Sequence, residues 1–257
     1  MTLLRSFRHL LLSCVLLAPV AGGAQSAIER VAMGDREQAA LRPAVALEHY
    51  EAAITLAPSN GDALGKASRT SVDLGEHDSE KDKRQAFFLK GEQYARRAVE
   101  ASPNDPEAYF HLARALGRTA LTVGVRERVR YATEIRRLAL HALEMDPKHP
   151  GALHVMGVWN AEVMRLNGFE RFFAKNVLGG GVFGQASWED AVSYMQRAVA
   201  VDPARLTHHL DLGRVYRDIG DPARARQQFE LVLKGPATDY NDPLYQREAE
   251  EALKSLK

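Results

Sequence analysis

The 257 residues suffice for one large domain or a short repeat array, and 46% apolar with 26% charged residues is the balance of an ordinary soluble globular chain. A formal net charge of +1 excludes a global field that would gather nucleic acid or an anionic surface, so electrostatic recognition must be local. One cysteine, Cys14, excludes an intrachain disulfide and leaves packing to hold the fold.

The chain begins with Arg5 and Arg8, then an apolar run over 10–20 broken only by Ser13 and Pro19, then Ala21, Gly22, Gly23 and Ala24. A short basic region, an apolar core and small residues form the pattern of an export signal peptide, here 1–24, cleaved before Gln25. The run is about half the ~20 residues that cross a bilayer. An uncleaved anchor and lipidation at Cys14 are the alternatives, although Cys14 sits inside the apolar run and not at its end. Cleavage leaves 32 basic residues (34 less Arg5 and Arg8) against 33 acidic ones. The protein is then periplasmic or secreted.

The mature chain, 25–257, is internally repetitive. Ala53 before Pro58, Ala98 before Pro103, Ala142 before Pro147 and Ala198 before Pro203 share one six-residue ending. Each proline ends a helix and fixes the turn into the next. In the segment 206–236, Leu212, Gly213, Tyr216, Gly220, Ala225 and Phe229 fall at the tetratricopeptide-repeat (TPR) spacing. Gly213 and Ala225 allow two helices to approach, and Tyr216 and Phe229 fill the space between pairs. Asp221 and Pro222 start the second helix. The expected fold is all-α, a right-handed TPR superhelix of five helix pairs over 27–60, 61–105, 106–149, 150–205 and 206–239. A charged capping helix follows over 242–256. The stop prolines stand 45, 44, 56 and 33 residues apart, against about 34 for a simple TPR. The excess falls between first and second helices: 75–84, expected as an exposed charged loop with lengthened helix ends, then 120–130, then 166–187.

In and around the third extension stand His154, Val155, Met156, Gly157, Val158 and Trp159, then Phe169, Glu170, Arg171, Phe172, Phe173, Ala174 and Lys175, then Ser187, Trp188, Glu189, Asp190, Ala191 and Tyr194. Together with Ala67, Ser68 and Arg69 upstream, they resemble the regulator of microtubule dynamics protein family over roughly 45–255. The resemblance implies a TPR scaffold without catalytic residues. Its eukaryotic members are associated with microtubules, the spindle and organelle contacts, a setting that an export signal does not share.

TPR stacks bind partners in the concave groove lined by the first helices. The ninth position of those helices is Arg69, Arg114 and Arg214, with Arg118 and Arg217 a turn or less beyond; His154 takes position five of the fourth repeat, beside Phe110 of the third. A row of guanidinium forks suits carboxylates, so the expected partner is a protein or peptide with an acidic segment or C-terminal carboxylate. Pairing of these arginines with Asp62, Glu107, Asp211 and Asp218 is the alternative. Arg126, Arg128, Arg130, Arg136 and Arg137 form a second basic cluster, diluted by Glu127 and Glu134 and read as a solvated helix face. Phe169, Phe172, Phe173 and Phe183, around a triple glycine at 179–181, form a candidate contact flap for a partner or membrane; packing on its own repeat is the simpler alternative. No Gly-Lys-Ser/Thr follows the glycines, so no phosphate loop is expected. No catalytic residue, cofactor, metal site or nucleic-acid partner is expected; His208, His209, His149 and His154 lack a third ligand at a known spacing. A small-ligand or enzyme site around Arg114, His154 and Trp159, or a microtubule-regulator-like adaptor, is the alternative function.

Overall fold

In a computed structural model, which describes residues 19–256, the chain forms twelve α-helices and one 3-10 turn, with no strand among the described residues. The signal peptide expected over 1–24 lies mostly outside the described residues. Only its last six residues enter, as the start of α1 (Pro19–Ala39), which runs unbroken past Gln25.

The helices pair as a TPR superhelix. α1 packs on α2 (Pro43–Leu56), α3 (Gly61–His77) on α4 (Lys81–Ala101), and α5 (Pro106–Ala120) on α6 (Val125–Met145). The fourth pair is α7 (Pro150–Arg165) with α9 (Trp188–Val201). Between them the chain inserts α8 (Gly168–Asn176) and the 3-10 turn Gly181–Gln185. The fifth pair is α10 (Leu206–Asp218) with α11 (Pro222–Lys234), and α12 (Asp242–Ser255) closes the stack.

The repeated Ala-to-Pro ending has a direct mechanical reading. Ala53, Ala98, Ala142 and Ala198 are fully buried. The carbonyl of each accepts the last helical N–H, from Ala57, Ser102, Asp146 and Asp202, the residues just before the prolines. Two residues past each proline the chain turns back: Asn60, Asp105, His149 and Arg205 donate to those same four residues' carbonyls. Three of the four then cap the next helix, Asn60 accepting from Ala63, Asp105 from Glu107 and His149 from Ala152. One small residue thus sets the helix end, and the cap sets the next beginning.

The first extension is helix rather than loop. Only 78–80 lie outside α3 and α4, which run to 17 and 21 residues. They stay packed because Gly75 admits the Phe88 ring, 2.6 Å from where a Cβ would stand. Gly213 admits Phe229 at the same separation in the fifth pair, as its place in the repeat anticipates. Apolar burial runs along the array in three clusters, around Tyr50 and Leu64, around Leu116, Leu138 and Trp159, and around Leu210 and Phe229.

Candidate functional site

The first helices α3, α5, α7 and α10 lie side by side, and their arginines converge on one inner face. That face is already populated by carboxylates. Arg114 donates to Asp73 at 2.5 Å and to Glu76 at 3.1 Å, and Arg118 reaches Glu76 at 2.9 Å. Asp73 lies four residues after Arg69 on α3, so helical periodicity turns both to the same side.

The C-terminal connection completes the arrangement. Asp242 accepts the N–H groups of Thr238 and Asp239, which folds 238–242 into a tight turn before α12. From that turn Asp239 is held between Arg69 at 2.5 Å and Arg205 at 2.8 Å. Asn241 donates to Asp73 at 3.1 Å and Glu76 at 3.0 Å, and the Tyr245 hydroxyl donates to Glu76 at 3.0 Å. The Tyr240 ring lies 4.3 Å from His77. Residues 165 to 170 positions apart therefore meet, and the end of the array closes on its second pair.

A second cluster lies toward α7 and α10. His154 meets Asp211 at 2.9 Å, and Arg214 donates to Asp211 and Glu248, each at 2.8 Å. Arg165 joins α7 to α10 through Asp218 at 2.7 Å, which also accepts from Arg217.

Burial and charge set the protonation of these groups in opposite directions. Burial pushes the Asp73 carboxyl up, and Arg114 and Arg69 offset this only in part. Burial also pushes Glu76 up, but Arg118 and Arg114 outweigh it and hold it below the usual carboxylate range. Asp239 is held at about 2, because Arg205 and Arg69 overcome its burial. Asp211 is likewise held low against burial by His154 and Arg214.

The sequence-derived candidates divide on this geometry. Arg69, Arg114, Arg118, Arg214 and Arg217 lie on the first helices α3, α5 and α10, and each is paired with a carboxylate of the chain itself. Of the four acids weighed as their partners, Asp211 and Asp218 serve. Asp62 pairs instead with Lys66, and Glu107 faces His111 and His149. Phe110 packs over Gly151 and beside His149, sealing the joint between α5 and α7. Phe183 does not belong to an exposed flap. It is buried, edge-on to Trp159 at 6.0 Å, because the chain turns at Gly179 (φ +80°) and folds back. Phe169, Phe172 and Phe173 remain exposed on α8. Sequence reading missed Asp73, Glu76, Arg205, Asp239, Asn241 and Tyr245. Only the spacing of Arg69 with Asp73 carried a local signal. Among the described residues no three His, Cys, Asp or Glu side chains gather as a metal site.

The model of the family "Regulator of microtubule dynamics protein 1-3" matches residues 28–257. Regulator of microtubule dynamics protein 1 from Bos taurus is 26% identical over 199 residues, covering 77% of this chain and 62% of the relative. The Homo sapiens protein 1 is 25% identical over 194 residues, covering 75% and 60%. The chain thus spans about three-fifths of the length of these curated relatives. Among solved structures, TTC0263, a thermophilic TPR protein of Thermus thermophilus, superposes with a TM-score of 0.60 at 17% identity, covering 88% of this chain and 99% of that one.

Removing the central cation should expose the cost of its buried acids. Arg114→Met leaves Asp73 with Arg69 at 3.7 Å as its nearest cation, while Glu76 keeps Arg118, and is expected to destabilise by about 3 kcal/mol in urea unfolding, since a buried charge loses its close partner. Arg217→Met, at a half-exposed site, is expected to stay within about 0.5 kcal/mol. Equal effects contradict the burial reading.

Stability should also depend on pH well above the carboxylate range. Burial holds His208 at about 3, with His154 and Arg205 adding to the effect. Burial holds His111 at about 4, Glu107 opposing and Arg114 and Arg69 adding. The unfolded chain takes up both protons near pH 6.5 and the folded chain does not. Their contribution is therefore complete above pH 6.5 and is lost as pH falls, down to about 4 for His111 and about 3 for His208, at about 1.4 kcal/mol per pH unit for each. Urea midpoints between pH 7 and 4 read this slope, and His111→Gln with His208→Gln should flatten it. A slope unchanged by the double substitution contradicts the assignment.

Proposed function

The chain belongs to the regulator of microtubule dynamics protein 1-3 family, and from that premise we propose that it is a non-catalytic scaffold whose concave face binds an extended acidic segment of a partner protein. Its TPR fold and its family are those of helical-repeat, protein-interaction scaffolds. One observation carries the finer reading. Arg69 and Arg205, from different repeats, together grip the single carboxylate of Asp239 on a non-helical stretch of chain. A partner's aspartate, or its C-terminal carboxylate, presents the same group to the same forks. Because the groove's charges are already paired, binding is an exchange of carboxylates rather than the filling of an empty basic trough, which favours a specific sequence over any acidic one.

We take the compartment from the leader at 1–24: the scaffold works in the cell envelope or outside it. The partner there is an envelope protein, in place of the microtubule role named for the relatives.

Crosslinked pull-down from the native envelope tests this reading. Arg69→Gln with Arg214→Gln keeps Asp239 and Asp211 each with a remaining partner, Arg205 and His154. Helicity should therefore be unchanged while recovery of the captured protein falls at least tenfold. Undiminished recovery contradicts a groove-centred mode.

A further inference from the structure

Outside the groove, two apolar surface features carry unpaired charges of opposite sign. The first is α8. Phe169, Phe172 and Phe173 recur at helical spacing on it, exposed Val177 follows at its C-cap, and Phe169 and Phe172 are 77% and 63% exposed. Val177 also lines a depression between α6 and the turn after α8, together with Val129 and Leu178, and its rim includes Arg126, Arg130 and Arg137. The two acids of that rim are occupied, Glu127 by Arg130 and Glu134 by Arg96. Glu170 caps the start of its own helix. Among the described residues Arg126, Arg137, Arg171 and Lys175 have no carboxylate partner. This is the reverse of the groove, where each arginine discussed above is paired.

The second feature is an open depression of about 610 Å³ between α9 and the end of α10, lined by Trp188, Val192 and Ile219 and edged by Glu189. Glu189 and Asp190 are exposed and have no cationic partner among the described residues.

Each feature supplies what the other lacks: protruding aromatic side chains beside free cations, and a recessed apolar floor beside free carboxylates. Both belong to every copy of the chain. We propose that they are the two halves of a self-association interface, the α8 stripe of one copy entering the Trp188, Val192 and Ile219 depression of another, with Lys175 and its neighbouring arginines facing Glu189 and Asp190. The buried aromatics provide the attraction, and the charges fix the orientation and the salt dependence. The contact is small, so association is reversible and concentration-dependent. It is independent of the groove and of what the groove binds.

Sedimentation velocity on the purified chain reads this directly. The weight-average mass of the native chain should rise with concentration above the monomer value, stopping at twice that value if the two contacts close reciprocally and passing it if they do not, because every copy carries both halves. Phe169→Ser with Phe172→Ser, both at exposed positions, should hold it at the monomer value without loss of helicity. Charge reversal gives the decisive comparison. One variant carries Arg126→Glu, Arg137→Glu, Arg171→Glu and Lys175→Glu, the other Glu189→Lys and Asp190→Lys. Alone, each places like charges at both halves and should remain monomeric. Mixed, each stripe faces a depression of opposite sign, so association should return. A native chain that stays monomeric into the millimolar range, association that survives loss of both phenylalanines, or a mixture that fails to associate overturns the proposal. Co-sedimentation of a monomeric native chain with phosphatidylglycerol vesicles, lost in the phenylalanine variant, assigns the stripe to a bilayer instead and overturns it equally.

Discussion

Asp73 is a carboxylate with no solvent exposure, and the arrangement of the groove depends on how its charge is compensated. Arg114 supplies the nearest cation at 2.5 Å, and Asn241 supplies a neutral donor from the far end of the chain. Burying charge is costly unless it is paired and hydrogen-bonded. The second helix pair, the third pair and the C-terminal turn are therefore constrained to one mutual position. A plain repeat array has contacts only between neighbours and can flex along its length. Here a polar bridge between residues at least 165 positions apart ties the C-terminal turn to the second helix pair.

Pairing also separates two kinds of surface that composition alone cannot. Arginines are frequent both in the groove and along α6. Those of the first helices named above each sit against an acid of the same chain. Along α6 and α8 several lack any such acid, and the neighbouring phenylalanines are exposed. The two surfaces thus differ in whether their cations are compensated within the chain, the distinction on which both proposals rest.

The repeat architecture was legible because its determinants are local. An alanine whose carbonyl ends one helix, a proline two residues before the next cap, and a glycine facing a phenylalanine all act within one repeat, and they recur. The groove arginines were legible as positions on a helix face, again a local property. Their partners were not. Asp239, Asn241 and Tyr245 reach the groove only because the stack curls far enough to bring α12 beside α3, and no spacing encodes that. The run 169–183 shows the same limit: its apolar residues are visible, but whether Phe183 points out or in depends on a turn at Gly179 and on Trp159 waiting beneath. The 75–84 stretch misled for another reason. Its charge density reads as loop, yet two long helices expose that much charge on their outer faces while burying Gly75 and Phe88 between them.

Closure of the groove by the chain's own C-terminal turn is measured most directly by a double-mutant cycle on the pair that bridges it. Arg69→Gln, Asp239→Asn and the double variant are compared by equilibrium urea unfolding. A closed groove predicts that the two substitutions are coupled by at least about 1 kcal/mol, as for residues in one buried network. Additivity within about 0.3 kcal/mol, the behaviour of distant independent sites, contradicts it.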